Sequence, residues 1–452
     1  MHEDVESCLR AVRAKDARFD GWFYAAVITT GIYCRPSCPV TPPKAANMRF
    51  FPSAAAAQQE GFRACRRCRP DASPGSPQWN ERADLVARAI RLIADGVVDR
   101  DGVPGLAARL GYSVRQIQRQ LLAELGAGPL AIARAQRAQT ARLLIETTPV
   151  PLGDVAFAAG FASVRTFNDT VREIFAVTPS ELRLRARNHQ QSAAPSTLTL
   201  RLPFRQPLDA DNLLARLKAE MLPGVEEWRG GAYRRTLGLP HGHGIVAVRP
   251  MSEHVECRLT LTDLRDLSTA ITRCRWLLDL DADPVAVDEV LRADPVLTSL
   301  VDKNPGRRVS RTVCADEFAV RAMAGAGAEA LVAYGAPVTD PTGGLTHVFP
   351  DAETLAELGL PVVDVLVRAL AASEVDLGVG SDWIRVREQL SELGIDAVTV
   401  ETIAKRALGD PDAFSVADPV IRRGARKLGI TALAEHSAAW RPWRAYACQY
   451  LA

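Results

Sequence analysis

A multidomain chain, mainly α with α+β parts, is what three features of the sequence predict. Four of its nine cysteines, Cys34, Cys38, Cys65 and Cys68, crowd into 35 residues near the start. A stretch of almost pure helical pattern with an internal repeat follows, and beyond it short alternating strands give way to helices again. At 452 residues the chain is about three domains long on a scale of roughly 100–200 residues each. Apolar content of 47% with 24% charge fits globular domains, not a disordered or fibrous chain. No run approaches the ~18 apolar residues of a spanning helix, and MHEDVESCLR is too polar for a secretory signal, so a cytoplasmic protein with no membrane partner is expected.

Residues 1–79 hold the clustered cysteines and many turn residues, closing in the loop DASPGSPQ. Cys34-x3-Cys38 and Cys65-x2-Cys68 lie 26 residues apart. Each pair can put two sulfurs on one ion, and together they complete a tetrahedral four-cysteine site. Zinc suits four thiolates without histidine, a soft and redox-silent set, with iron as the rival. On spacing alone, a clip that staples a domain too small for a large core is the commoner use. The other cysteines (Cys8, Cys257, Cys274, Cys314, Cys448) are scattered and read as small buried apolar residues. An odd total, low for this length, argues against a disulfide scaffold and fits a reducing compartment.

The net charge of +2 conceals a balance of +8 over residues 1–190 and −6 over the remainder, so the front half points to a polyanionic partner. Residues 80–188 read as helices broken at GYS (111–113), GAGP (126–129) and TPVP (148–151). Within them LAARLGYSVRQIQRQLLAELGAGP (106–129) parallels VAFAAGFASVRTFNDTVREIFAVTP (155–179). The spacing turns Val114, Ile117 and Leu121 inward and Arg115, Gln116 and Arg119 outward. In the second copy it turns Val164, Phe167 and Val171 inward and Arg165 and Thr166 outward. A short helix, a tight glycine turn and a second helix with a basic, amide-bearing face make the helix-turn-helix plan, and two copies favour DNA binding over a plain helical bundle. The run ARLLIETTPVPLGDVAFAAGFASVRTFNDTVREIFAVTPSELR resembles the AraC-type regulators, with Asp169 standing where that family usually carries a basic residue. Residues 189–197 form a polar linker.

The run FDGWFYAAVITTGIYCRPSCPVTPPKAANMRFFPSAAAAQQEGFRACRRCRPD resembles the N-terminal domain of the Ada alkylation-response family. The resemblance implies that Cys34 is both a zinc ligand and the acceptor of a methyl group from methyl phosphotriesters in DNA, once per molecule. It also implies that the methylated protein activates alkylation-repair genes, with operator DNA and RNA polymerase as partners. Zinc keeps the sulfur deprotonated, and Arg35, Arg63, Arg66, Arg67 and Arg69 are placed to meet the phosphate. Methylating one of four thiolates takes the site from −2 to −1, which relieves repulsion of the DNA backbone by on the order of a kcal/mol.

In the remaining half, LTLRLPF, AYRRTLGL, GIVAVRP and HVECRLTL read as strands and the chain is helical after about Leu280. Through GRRVSRTVCADEFAVRAMAG, IAKRALGDPDAFSVAD and AEHSAAWRPWRAYACQY, residues 198–452 resemble the AlkA-type 3-methyladenine DNA glycosylases. A small α/β domain over 198–280 and a helix-hairpin-helix glycosylase domain over 281–452 are implied. Asp418 matches the catalytic aspartate of that family, and Trp440 and Trp443 are placed as the aromatic wall for a flipped cationic base. Asp418 ahead of Pro419 also reads as a helix N-cap. The hairpin ELGIDAVTV carries Asp396 and Val398 where the family has glycine and tryptophan, and the wedge-bearing loop after AVRAMAG is shortened. These departures predict weak or absent base excision. HGHG (241–244) reads as a loop. No Pro-Cys-His-Arg motif is present, so demethylation of guanine O6 is not expected. The function expected is therefore a zinc-dependent methyl acceptor and activator joined to a glycosylase module. The alternative is a zinc-stabilised regulator whose C-terminal half only binds DNA.

Overall fold

The structure, a computed structural model, describes residues 4–16, 19–70, 85–186 and 197–452. The loop DASPGSPQ, the linker up to residue 196 and the domain boundaries expected there lie outside the described residues. The chain divides into two compact units, 1–203 with 258–272 and 204–257 with 273–452.

The first unit opens on the helix Val5–Ala14, capped by Asp4, which buries Cys8, Ala11 and Val12 against Phe23 and Ala25. A four-stranded sheet follows in the order Met48–Phe51, Tyr24–Val27, Ile32–Cys34, Arg63–Ala64. Its last pair is parallel, with Ile32 opposite Arg63 and Tyr33 opposite Ala64. The residues that come next on these two strands are Cys34 and Cys65, so the register itself sets two sulfurs side by side. Tyr33 is fully buried, its hydroxyl accepting a 2.9 Å hydrogen bond from Gln58.

The repeat folds as two helix-turn-helix copies around the long helix Pro129–Thr147. The first reads Val97–Leu110 then Val114–Leu125, the second Leu152–Ala158 then Val164–Phe175. Gly111 (φ 74°) and Gly160 (φ 84°) make the tight turns in the left-handed region that a side chain would oppose. Ser113 and Ser163 cap the second helix of each copy, accepting from the N–H of Gln116 and Thr166. Ile117, Leu121, Phe167 and Val171 are fully buried as the spacing predicts. Val114 and Val164 are not: they are 39% and 38% exposed. Each is the first residue of its helix, where the side chain stands beside the cap and the apolar stripe has not yet turned onto the core.

In the second unit Glu226–Arg229, Ala232–Leu239 and Gly242–Pro250 form an antiparallel ladder. The loop reading of HGHG is corrected: only His241 stands in the turn, while Gly242, His243 and Gly244 begin a strand and pair with Leu239, Gly238 and Leu237, because the two-residue hairpin turn is tight enough to let pairing start at once. Arg235 is buried between Glu226 (2.9 Å) and Glu317 (2.7 Å), joining this ladder to the helix Ala315–Ala324. A helix-hairpin-helix, Trp383–Glu392 and Ala397–Ile403, runs directly into a π turn, Ala404–Leu408. The helix Pro419–Lys427 and the last helix, Arg444–Leu451, share a core with Leu291, Leu297 and Val301. No helix of the described residues is long and apolar enough to cross a membrane.

Candidate functional site

The sulfurs of Cys34, Cys38, Cys65 and Cys68 all lie within 4.8 Å of one another. A zinc ion with Zn–S bonds of about 2.3 Å needs sulfurs a little under 4 Å apart, so small adjustments bring the set onto one ion. Thiols this close oppose one another's ionisation. Hydrogen bonds to Cys65 and Cys68 push the Cys34 thiol up, while Cys65, accepting from both, is held well below the ordinary thiol range. A divalent cation is what lets all four be thiolates together, and the donor set is a zinc site. Cys38, Cys65 and Cys68 are buried; Cys34, at the end of its strand, is half-buried. The scattered cysteines are buried as expected, apart from a half-buried Cys314.

A residue that spacing does not reveal fixes the loop between the first two ligands. Buried Asp20 accepts from the backbone N–H of Ser37 (3.0 Å) and from its hydroxyl (2.6 Å), and pairs with Arg35 at 3.3 Å. Outer contacts of this kind hold ligands in place, and Asp20→Ala is expected to weaken metal affinity about 10- to 100-fold. Competition with a chromogenic chelator measures it; an unchanged affinity would free the loop from Asp20.

The five arginines around the cysteines divide by role. Arg67 is exposed with no partner among the described residues, and Arg63 makes one long bond to the Thr30 carbonyl at 3.4 Å. Arg35 is held by Asp20. Arg66 instead donates to the Ala176 carbonyl (3.0 Å), at the C-terminus of the helix Val164–Phe175, and Arg69 pairs with Glu146 at 2.6 Å. Both tie the cysteine-bearing segment to the helix-turn-helix within this unit. Ser53 does the same, its hydroxyl donating to the Leu125 carbonyl at 2.8 Å. On the helix-turn-helix copies Arg115, Arg119, Arg165 and Thr166 are exposed and Gln116 is half-buried. Asp169 stands one turn from Arg165 at 4.0 Å, setting a carboxylate on the same outer face.

The second unit holds a cavity of about 570 Å³ lined by Asp418, Lys405, Thr399, Thr402, Phe318 and Glu220, among others. Asp418 caps the helix that follows. Its Oδ1 accepts from the N–H of Val420 (2.8 Å) and Ile421 (3.3 Å), and Oδ2 has no partner among the described residues. Asp418 thus both caps this helix and lines the cavity.

Trp440 and Trp443 do not line this cavity. Trp440 is fully buried, its Nε1–H donating to Asp294 at 2.6 Å, and Trp443 packs edge-on to Tyr446 in the same core. The base-pocket placement is corrected accordingly: apolar burial with a buried carboxylate partner holds both rings inside. Phe318 is the one aromatic ring among the lining residues. The shortened segment after Ala324 is built of brief turns whose Gly325, Ala326 and Ala328 also line the cavity.

In the hairpin, exposed Asp396 accepts from the N–H of Val398 (3.0 Å) and Thr399 (3.1 Å). Bonding to Thr399, and then to Val398, holds its carboxyl below the usual range. The donors that a phosphate would use at this helix start are therefore satisfied by a permanent negative charge. Asp396→Gly removes that charge and costs only a few tenths of a kcal/mol of capping. It is expected to raise affinity for undamaged duplex at low salt about fivefold, from ~1 kcal/mol of relieved repulsion. Fluorescence anisotropy reads the change; equal affinity would take the hairpin off the DNA path.

Three families match the chain: "Metal binding domain of Ada" over residues 7–71, "Helix-turn-helix domain" over 106–185 and "AlkA N-terminal domain" over 199–314. The chain is 58% identical over 478 aligned positions to the probable bifunctional transcriptional activator/DNA repair enzyme AlkA of Mycobacterium tuberculosis (strain ATCC 25618 / H37Rv), covering 100% of this chain and 96% of that one. It is 34% identical over 133 residues to the bifunctional transcriptional activator/DNA repair enzyme Ada of Escherichia coli (strain K12), covering 29% of this chain and 36% of that one. Among solved structures it is similar to the 3-methyladenine DNA-glycosylase from Archaeoglobus fulgidus, at 18% identity and a TM-score of 0.47, over 56% of this chain and 96% of that one.

Proposed function

The chain belongs to the family of the bifunctional transcriptional activator/DNA repair enzyme AlkA, and from that premise we propose a three-part alkylation response. Cys34 takes methyl groups from methyl phosphotriesters in DNA, the tandem helix-turn-helix activates transcription at an operator, and the second unit is a DNA-3-methyladenine glycosylase module.

The observation that carries the first part is that Cys34, alone of the four residues whose sulfurs gather on one centre, is not fully buried. Bound zinc supplies thiolate character at neutral pH. Cys34 Sγ attacks the methyl carbon in line, forming the S–C bond as the C–O bond breaks, and the phosphodiester leaves with the electron pair. Arg67 and Arg63 are the open cations that meet its charge. Asp20 and Arg35 hold the loop between Cys34 and Cys38. For activation, the exposed Arg115, Arg119, Arg165 and Thr166 read the operator, contact with RNA polymerase follows, and the place of action is the cytoplasmic nucleoid.

In the glycosylase module the free oxygen of Asp418 faces the developing positive charge on the sugar as the base departs, and orients a water toward it. A second reading, a half that holds DNA without excising bases, is favoured by Asp396 in the hairpin and by the single aromatic ring of the cavity.

Transfer is tested with duplex carrying isotopically labelled methyl phosphotriesters. Label is expected to pass to the protein, saturating at one methyl per chain. Label that stays on the DNA would overturn the acceptor role.

A further inference from the structure

The cavity of the second unit contains a group that base excision does not use. Lys405 lines it with Asp418, Thr399, Thr402 and Cys448. The π turn Ala404–Leu408 places it there: a π turn re-aims side chains relative to the helix that precedes it, and such turns gather at functional sites.

The cations around Lys405 are all engaged. Arg406 pairs with Glu220 at 2.9 Å and lies over the Phe318 ring at 5.1 Å. Arg321 pairs with Glu226 (3.1 Å) and Glu317 (2.8 Å), and Arg216 with Glu220 (3.6 Å). Lys405 has no hydrogen-bond or ion-pair partner among the described residues. It is also the one primary amine among the lining residues. Burial, above all, pushes its ammonium below the ordinary lysine range; Arg216 and Arg406 act in the same sense, against the pull of Cys448 and Asp418.

An unpaired amine in a partly desolvated cavity is a nucleophile for carbonyl carbon. Base loss creates such a carbon, because the abasic sugar opens to an aldehyde at C1′. We propose that Lys405 captures the C1′ aldehyde of abasic sites in DNA as an imine and cleaves the strand on the 3′ side, an abasic-site lyase activity. Nζ bonds to C1′, and the carbonyl oxygen leaves as water after taking up two protons, one from the amine and one from solvent, so that the imine nitrogen keeps one proton and a positive charge. A base, for which Asp418 on the same cavity is the candidate, removes a C2′ proton. The C2′=C3′ bond forms as the C3′–O bond breaks, and the 3′ phosphate departs with the electron pair. Water then hydrolyses the imine, returning the amine and an unsaturated aldehyde. No oxidant or reductant is needed.

This inference rests on the cavity being a site for damaged DNA, yet its test bypasses excision. Full-length protein is incubated with duplex containing one preformed abasic site, and borohydride reduces any imine to a stable amine. Wild type is expected to form a covalent protein–DNA adduct that peptide mapping assigns to Lys405, together with strand cleavage when borohydride is omitted. Lys405→Arg, which keeps the positive charge but cannot form the imine, is expected to lower adduct yield per bound duplex about 100-fold, as is Lys405→Gln. No adduct in wild type, an adduct on another residue, or a full yield from Lys405→Arg overturns the proposal. Release of 3-methyladenine from alkylated DNA is measured alongside. Excision without trapping removes the lyase alone, whereas trapping at Lys405 without excision upholds the lyase and removes the glycosylase reading.

Discussion

Asp418→Asn is expected to slow release of 3-methyladenine by the full-length chain about 100-fold or more while leaving thermal stability nearly unchanged. The two readouts separate because the cap needs only an oxygen acceptor, whereas the proposed role in excision needs the carboxylate charge. Oδ1 caps the helix Pro419–Lys427 through the N–H of Val420 and Ile421, and asparagine caps a helix about as well as aspartate. Asp418 also lines the cavity, and the carboxylate charge there is what asparagine removes. Asp418→Ala is expected to lose the same excision and about 1 kcal/mol of stability besides. Single-turnover release from alkylated DNA, with calorimetry on the same samples, reads both. An Asp418→Asn protein that excises at the wild-type rate would leave Asp418 as a cap and nothing more.

The second large effect is expected at the metal centre. Cys65→Ser should abolish tight metal binding and render the segment 19–70 sensitive to protease. Cys65 lies between its strand and the knuckle that follows, its N–H bonded to the Tyr33 carbonyl and its sulfur buried. Structural zinc sites contribute on the order of 10 kcal/mol to folding, and small domains with little buried surface depend on such a contribution. Loss of the ion also returns Cys34 to a mostly protonated thiol at neutral pH, so methyl uptake should fall with it. Metal analysis and limited proteolysis check this. A Cys65→Ser chain with full zinc content and an intact segment would show that the ion is held by other groups.

The parts of these sites that sequence made legible are those fixed by local spacing. Two close cysteine pairs meet because a parallel register aligns the strand that ends at Cys34 with the one just before Cys65. The helix-turn-helix copies follow from apolar spacing, serine caps and glycine turns, all within a few residues. What was hidden depends on partners far along the chain. Arg66 and Arg69 look like phosphate ligands beside the cysteines, but their partners lie 110 and 77 residues away. Trp440 is near Asp418 in sequence, but Asp294, 146 residues earlier, draws its indole into the core. Lys405 gave no signal because the π turn departs from the helical period on which a face is read. Asp20 was passed over because a single aspartate ahead of a strand carries no pattern of its own.

The most direct measurement is peptide mapping by mass spectrometry after zinc-loaded protein has met duplex containing methyl phosphotriesters. One methyl group confined to Cys34, and none on any peptide of a Cys34→Ser chain, is the expected result. Methyl on Cys38, Cys65 or Cys68, or uptake that survives Cys34→Ser, would contradict it.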